Sequence, residues 1–147
     1  MIPHSTYNAG SPLLFLHANG YPPACYTPLF NLLKKKQIIA MHQRPLWENA
    51  KPEAIEDWHP LTDDLLHFMD ERKLDAIPAV GHSMGGIALL RAALREPERF
   101  SHIILLDPVL FPPIFISAMK IIRALNITHK IHPLIPIALV LVIFFSS

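Results

Sequence analysis

Four short runs of mainly apolar residues are the feature that most constrains the fold of this chain. They are Leu13 to His17, Ile38 to Met41, Ala76 to Val80 and Ile103 to Leu106, and each ends at a polar or glycine-containing loop. An apolar run without alternation is typical of a strand that is buried on both faces of a parallel sheet. The runs therefore predict four neighbouring parallel strands.

Helical patterns occupy the intervals between these runs. They cover Tyr26 to Leu33, His59 to Leu74 and Met84 to Glu96, and Pro97 stops the third. Strand and helix alternate along the chain, and this order is typical of a doubly wound α/β sheet with right-handed crossovers. We therefore predict an α/β fold with a mostly parallel sheet and helices on both faces.

The pattern changes after Asp107. The pattern from Ile114 to Leu125 predicts an amphipathic helix, and no further strand–helix pair is evident after it. The apolar tail from Ile137 to Phe145 is shorter than the roughly 18 to 20 residues that a membrane span needs, so we expect a buried segment or an artefactual tail, not an anchor. We divide the chain into a core, 1–110, and a cap-like helical region with the apolar tail, 111–147.

Composition excludes several classes of function. With 13 Lys and Arg against 12 Asp and Glu among 147 residues, no nucleic-acid partner is indicated. The single cysteine, Cys25, excludes an intramolecular disulfide and a multi-cysteine metal site, and the first ten residues lack a secretion signal. We expect a cytoplasmic protein. Walker, dinucleotide and calcium motifs are missing, so no cofactor or metal is expected.

The loop after the third run has the pattern GxSxG between a predicted strand and a predicted helix. It reads Gly81-His82-Ser83-Met84-Gly85-Gly86. Such a turn strains the backbone at Ser83, requires small residues at 81 and 85, and presents the hydroxyl at the carboxyl end of the sheet, beside a helix N-terminus. The alternative interpretation makes Ser83 an ordinary helix N-cap.

The loop after the first run is the second candidate element of a site. It reads His17-Ala18-Asn19-Gly20-Tyr21, and its strand is expected beside that of Ser83. We expect the Asn19 N–H to be a second donor to an oxyanion, with Gly20 keeping the backbone accessible. The alternative is a plain turn, because Asn-Gly tolerates left-handed backbone.

Together the HANGYP loop and the GHSMGG turn resemble the serine-hydrolase branch of the α/β-hydrolase superfamily, over Leu13 to Asp107. The resemblance implies a small-molecule acyl substrate, with a carboxylic ester or similar acyl bond cleaved through an acyl-enzyme on Ser83. It implies that the N–H groups of Met84 and Asn19 bind the oxyanion. The residues expected to line the substrate pocket are Gly20, Tyr21, His82 and Trp47, with packing as the alternative role of Trp47.

The general base is not identified. In this superfamily a catalytic acid and then a histidine follow the serine. Asp107 ends the strand after the Ser83 helix and is the candidate acid, although aspartate before proline also starts turns. His102 lies at the wrong end of its strand, and His129 and His132 follow no predicted strand.

Two further interpretations follow from the missing base. The chain is either an N-terminal part of a hydrolase, truncated before the last strands and inactive without the histidine, or one half of a split hydrolase that a second chain completes. A truncated sheet has an open edge, which offers a surface for self-association.

Overall fold

A computed structural model describes residues 1–51, 57–110 and 140–144. The helix predicted from Ile114 to Leu125 lies outside these residues, as do His129 and His132. The division of the chain at residue 110 therefore stays a prediction.

In the described residues, six strands form one mixed sheet. They are β1 (His4–Tyr7), β2 (Ser11–Leu16), β3 (Lys36–Met41), β4 (Ile77–His82), β5 (Phe100–Leu106) and β6 (Val140–Phe144). Their order across the sheet is β1-β3-β2-β4-β5-β6. The four inner strands are parallel, as predicted, and β1 and β6 pair antiparallel at the two sides.

Three helices connect the inner strands. They are α1 (Thr27–Leu32), α2 (His59–Arg72) and α3 (Met84–Arg95). Each agrees with its predicted helix to within two residues at either end. Short 3₁₀ turns at Pro23–Tyr26, Arg44–Leu46 and Pro97–Arg99 precede or follow these regular elements.

Apolar side chains pack on both faces of the sheet. On β2, Leu14 and Leu16 belong to the larger cluster, with the buried faces of α2 and α3. Leu13 and Phe15 point to the opposite face and join a smaller cluster with Phe30 of α1. Strand pleating thus explains why the run from Leu13 is continuous: each face of the sheet receives alternate residues. The predicted two-sided burial is confirmed.

Two strands were not predicted. β1 has the sequence HSTY and an intermediate or exposed side chain at each position, so it lacks the apolar pattern of the inner strands. It pairs with β3 from Met41 back to Ile38. β6 comes from the apolar tail and pairs with β5, so it forms that side of the sheet within the described residues. Self-association through an open sheet edge stays a prediction.

The apolar tail does not add a membrane-spanning helix to the described part of the chain. Within residues 1–51, 57–110 and 140–144, no helix combines the length and the hydropathy that a bilayer crossing requires.

Candidate active site

The carboxyl ends of three neighbouring strands bring the two predicted loops together. Leu16 at the end of β2 lies opposite Gly81 of β4, and His82 at the end of β4 lies opposite Leu106 of β5. The segments that follow these strands therefore emerge at one edge of the sheet. In open α/β sheets, ligands bind in the crevice outside this edge.

Ser83 occupies a strained turn between β4 and α3. Its backbone has φ 51° and ψ −112°, and a residue with a side chain pays about 1–3 kcal/mol for a sparsely populated conformation of this kind. The Ser83 N–H donates to the carbonyl of Leu106 at 2.9 Å, and the Ser83 carbonyl accepts from Val109 N–H at 3.3 Å. The predicted backbone strain at the serine is confirmed.

The small residues predicted on either side of the turn are required by close backbone approach. A Cβ on Gly81 would lie 2.6 Å from the carbonyl oxygen of Gly85. A Cβ on Gly85 would lie 2.5 Å from the carbonyl oxygen of Leu16, on the neighbouring strand. Neither position can hold a side chain without a shift of backbone.

Ser83 precedes the first turn of α3 without capping it. It occupies the N-cap position, yet its hydroxyl makes no capping hydrogen bond. The alternative interpretation of Ser83 as an ordinary N-cap is therefore not supported by its side chain. The first N–H groups of a helix lack intrahelical acceptors and carry partial positive charge, so the N–H of Met84 lies where an anion is stabilised.

His17 fixes the start of the first loop. It is fully buried, Nδ1–H donates to the Ala18 carbonyl at 2.7 Å, and Nε2 accepts from the Gln43 N–H at 3.0 Å. The Gln43 side-chain amide also donates to the His17 carbonyl. Burial lowers the pKa of His17, opposed by its bond to Ala18. The imidazole is thus a neutral structural link between the ends of β2 and β3.

The loop beyond His17 is a turn. The Tyr21 N–H donates to the Ala18 carbonyl at 3.2 Å, and Gly20 has φ 74°. Asn19, Gly20 and Tyr21 are all exposed. In the described part of the chain no acceptor is paired with the Asn19 N–H. The turn interpretation is correct for the backbone, and the oxyanion role of Asn19 stays a prediction.

Tyr26 links the two loops, and sequence reasoning missed it. The Ala18 N–H donates to Tyr26 Oη at 2.9 Å, and the same oxygen lies 2.7 Å from His82 Nδ1. The partners are 8 and 56 residues apart along the chain. No local pattern identifies such a contact. The expectation that His82 lines a substrate pocket stays a prediction, and the structure gives its ring a protein partner.

Trp47 has several packing contacts. Its Nε1–H donates to the His42 carbonyl at 2.7 Å, and the Arg44 guanidinium carbon lies 5.2 Å from the centre of a Trp47 ring. The half-buried indole also packs against the larger apolar cluster. These contacts favour the packing alternative for Trp47, and its role in a pocket stays a prediction.

Asp107 follows β5 directly beside the serine turn. It is exposed, has φ 44°, and lies between Leu106 and Val109, both of which bond to the Ser83 backbone. This position is compatible with a catalytic acid and equally with a turn residue. Its role as the acid stays a prediction.

The described residues show no base that is hydrogen-bonded to Ser83. His102 pairs with Pro78, whereas Leu106 pairs with His82, so His102 is four residues, or about 13 Å, from the site end of β5. Among residues 1–51, 57–110 and 140–144, no side chain hydrogen-bonds to Ser83 Oγ. The remaining candidates, His129 and His132, are outside the described residues.

A family model agrees with this architecture over most of the chain. The model described as the alpha/beta hydrolase family matches residues 13–145. The chain belongs to the alpha/beta hydrolase family. The fold predicted from the strand runs and from the two loops is thereby confirmed.

Several proteins are similar to this alpha/beta hydrolase. Ethanol acetyltransferase 1 of Kluyveromyces marxianus is 27% identical over 106 residues, which are 69% of this chain and 28% of the relative. A pimeloyl-[acyl-carrier protein] methyl ester esterase of Legionella pneumophila is 30% identical over 98 residues, 67% of this chain and 38% of the relative. The chain therefore spans about a third of the length of these curated relatives.

A solved structure gives the same fold. A carboxylesterase structure from Nitrososphaera gargenis superimposes with a TM-score of 0.69 at 20% identity, covering 92% of this chain and 54% of that one. At this identity the similarity concerns the fold alone. The chain spans about half of that alpha/beta hydrolase.

A surface cleft at the opposite end of the sheet does not belong to this site. It has a volume of about 340 Å³ and is lined by residues at the amino ends of the strands, among them Ser11, Lys36 and Ile77. Alpha/beta sheets bind ligands at the other edge. In the described ranges, no group of three or more His, Cys, Asp or Glu side chains is arranged to hold a metal ion.

Proposed function

We propose that the protein is a serine hydrolase, which cleaves a carboxylic ester or a related acyl bond of a small-molecule substrate through an acyl-enzyme on Ser83. The observation that carries the proposal is the backbone of Ser83, with φ 51° and ψ −112° between a buried strand and a helix N-terminus. A strained serine between a strand and a helix N-terminus, held by two close backbone approaches, supports a functional role for its hydroxyl.

The chemistry requires a sequence of balanced steps. Ser83 Oγ attacks the acyl carbon, its proton passes to a base, and the carbonyl oxygen becomes an oxyanion. The bond from the acyl carbon to the leaving oxygen then breaks, and the alcohol leaves with the proton. Water repeats the attack on the acyl-enzyme, which releases the carboxylic acid and restores Ser83. Acylation and deacylation both pass through an oxyanion, which forms at the same place in the site.

Two backbone N–H groups are proposed as donors to this oxyanion. Met84 N–H starts α3, where the helix dipole adds positive potential. Asn19 N–H comes from the loop after the neighbouring strand and has no partner in the described part of the chain. Donors that are in place before the reaction lower the barrier because charge develops against dipoles that need no reorganisation.

The base is proposed to come from outside the described residues. His17 is excluded, because both of its ring nitrogens are already bonded to protein groups and the ring is fully buried. His102 is excluded by its distance along β5. We therefore leave the base unassigned between His129, His132 and a second chain, with Asp107 as the proposed acid.

Acyl transfer to an alcohol is the second candidate function. It is favoured by the similarity to an ethanol acetyltransferase, 27% identical over 106 residues. The first half of the reaction is unchanged, and an alcohol instead of water accepts the acyl group. The two functions are distinguished by incubating the protein with p-nitrophenyl acetate and ethanol. Transfer to the alcohol yields ethyl acetate, whereas hydrolysis yields acetate.

The direct test is labelling with a fluorophosphonate probe, which reacts with activated serines. We expect wild-type protein to be labelled and Ser83→Ala to be unlabelled. Ser11→Ala is the matched control, because Ser11 is an exposed serine at the opposite end of the same sheet and its loss should leave labelling unchanged. A folded wild-type protein without labelling would contradict activation of Ser83 by this chain and favour the inactive or split alternatives.

A further inference from the structure

The Tyr26 hydroxyl connects the two loops of the candidate site through one oxygen atom. It accepts the N–H of Ala18, which follows β2, at 2.9 Å. It also lies 2.7 Å from Nδ1 of His82, the residue immediately before Ser83. A single side chain, from the 3₁₀ turn at Pro23–Tyr26, therefore links the segment that follows β2 to the last residue of β4.

The direction of the first hydrogen bond follows from the chemistry of the groups, and the direction of the second depends on the tautomer of His82. A backbone N–H can only donate, so Tyr26 Oη accepts from Ala18. The phenol proton is then available for His82: with the imidazole proton on Nε2, Tyr26 Oη–H donates to Nδ1, and with the proton on Nδ1, the same oxygen accepts from the ring. Burial raises the pKa of Tyr26, which keeps the phenol protonated as this arrangement requires.

Aromatic packing holds the phenol ring that carries this hydroxyl. Phe15 contacts the ring edge-on with centroids 4.7 Å apart, and Phe30 stacks at 6.1 Å with an interplanar angle of 24°. The His82 ring meets it edge-on at 5.8 Å. Because the ring is packed on several sides, the position of the hydroxyl is set by the core and does not depend on the exposed loop.

This contact decides which N–H of the first loop is free. The Ala18 N–H is consumed by Tyr26, whereas the next N–H, that of Asn19, has no acceptor among the described residues. The hydrogen bond from Ala18 to Tyr26 holds the backbone at residue 18, and this restricts the direction in which the N–H of residue 19 points. The distance from that N–H to the Ser83 turn is restricted as well, because His82 shares the same hydroxyl.

We propose that Tyr26 is a positioning residue, whose hydroxyl fixes the Asn19 N–H relative to Ser83 so that the two-donor oxyanion site is assembled before substrate binds. The inference rests on the proposed serine hydrolase function. Tyr26 acts through Ala18 and His82 and is not itself in contact with reacting atoms.

The test compares Tyr26→Phe with the matched variant Tyr7→Phe. Tyr7 packs on the same Phe30 ring at 4.8 Å, and its hydroxyl has no hydrogen bond within the described residues. Both variants remove one hydroxyl from the same aromatic cluster. Amide hydrogen exchange, measured residue by residue by NMR, should rise about 10-fold or more at Ala18, whose N–H loses its acceptor in Tyr26→Phe, and should stay unchanged there in Tyr7→Phe.

Turnover of p-nitrophenyl acetate provides the second readout. We normalise kcat to the number of active sites titrated with fluorophosphonate, so that loss of folded protein does not count. Tyr26→Phe should lower kcat about 10-fold with KM within about twofold of wild type, because a misplaced oxyanion donor affects the transition state more than the bound substrate. Tyr7→Phe should leave both values as in wild type.

Each contrary outcome is distinct. Unchanged exchange at Ala18 in Tyr26→Phe overturns the positioning role whatever the activity. Faster exchange with kcat per titrated site unchanged overturns it while leaving the serine mechanism intact. If exchange at Ala18 is faster in Tyr26→Phe but fluorophosphonate never labels Ser83 in the wild type, the serine mechanism is contradicted, and the positioning role of Tyr26 is overturned with it. The exchange data need no turnover, so these failures are told apart.

Discussion

The carbonyl oxygen of Leu16 lies 2.5 Å from the point where a Cβ on Gly85 would stand. This approach joins the end of β2 to the first turn of α3, and it places the two candidate loops on one rigid framework. The same Cβ would lie 2.6 Å from the carbonyl carbon of Leu16 and 2.7 Å from its Cβ, so a methyl group cannot be accommodated without a shift of backbone.

Gly85→Ala should therefore destabilise the fold strongly. Because the clash involves backbone of a central strand, we expect a loss of roughly 3 kcal/mol in the free energy of unfolding. Urea titration followed by circular dichroism measures this loss. Gly20→Ala is the control: nothing lies within 4 Å of its added Cβ, and only its φ of 74° opposes a side chain, so about 1 kcal/mol is expected. Equal losses in the two variants would contradict the close approach.

The strain at Ser83 predicts an unusual order of stabilities. Glycine adopts positive φ without steric cost, whereas alanine retains the Cβ that makes φ 51° unfavourable. Ser83→Gly should exceed Ser83→Ala in free energy of unfolding by about 1 kcal/mol, after the greater chain entropy of glycine is deducted. Parallel urea titrations of the two variants provide the comparison. An Ala variant as stable as the Gly variant would show that the turn is relaxed.

The ion pair between Arg44 and Asp64 predicts a second stability effect. Two charge-assisted bonds of 2.8 and 2.7 Å join the 3₁₀ turn after β3 to α2, and the Asp64 side chain is only 10% exposed. Asp64 also raises the pKa of Arg44, chiefly by hydrogen bonding. Removing the guanidinium by Arg44→Met should cost about 2 kcal/mol, because a nearly buried carboxylate then lacks its partner.

Two comparisons check the cause of that loss. Adding Asp64→Leu to Arg44→Met should recover part of the stability, since the unpaired charge is then removed. Arg95→Ala breaks the exposed pair with Asp63, whose side chains are 47% and 59% exposed, and should cost under about 1 kcal/mol. Chemical denaturation of the three variants measures their losses of unfolding free energy. A loss in Arg44→Met as small as that in Arg95→Ala would contradict the assigned role of the Arg44–Asp64 pair.

His17 predicts a dependence of stability on pH. Burial lowers its pKa in the folded state below the ordinary 6.5 of the unfolded chain, so the unfolded chain binds more protons between the two values. The contribution of His17 is present above pH 6.5 and is lost as the pH falls through 6.5 towards the lower folded pKa. Protonation would also put an Nε2–H against the Gln43 N–H, two donors face to face.

The measurement is the slope of unfolding free energy against pH between 7.5 and 5.5. Wild type should lose stability on acidification, and His17→Asn should show a shallower slope even if it is less stable overall. Burial also lowers the pKa of His4 and His42, so part of the slope should persist in that variant. His59→Gln, at an exposed position, serves as the control. An unaltered slope in His17→Asn would show that His17 is not the responsible group.

The inner strands and the helices could be predicted because their information is local. Leu13 to Leu16 alternate between two packed faces, which produces a continuous apolar run in the sequence. β1 was missed because an edge strand of polar residues carries no such run. β6 was missed because an antiparallel strand, reached after a long connection, has no local sign of its partner β5.

The same distinction applies to the candidate site. The turn at Ser83 could be predicted, since its strain and its two glycines are encoded within five residues. Tyr26 could not, because its hydroxyl meets Ala18 and His82 only after β2 and β4 pair. His17 is similar: it belongs to the HANGYP loop in the sequence, but its bond to Gln43 depends on the neighbouring β3. Contacts across strands require the fold before they can be assigned.

The acyl-enzyme itself is the most direct test of the serine mechanism. Wild-type protein is mixed with p-nitrophenyl acetate, quenched in acid at the end of the burst, digested and analysed by peptide mass spectrometry. We predict one acetyl group on the peptide that contains Ser83, absent from Ser83→Ala and present in Ser11→Ala. Acetylation confined to lysines or tyrosines, or equal in wild type and Ser83→Ala, would contradict a nucleophilic Ser83.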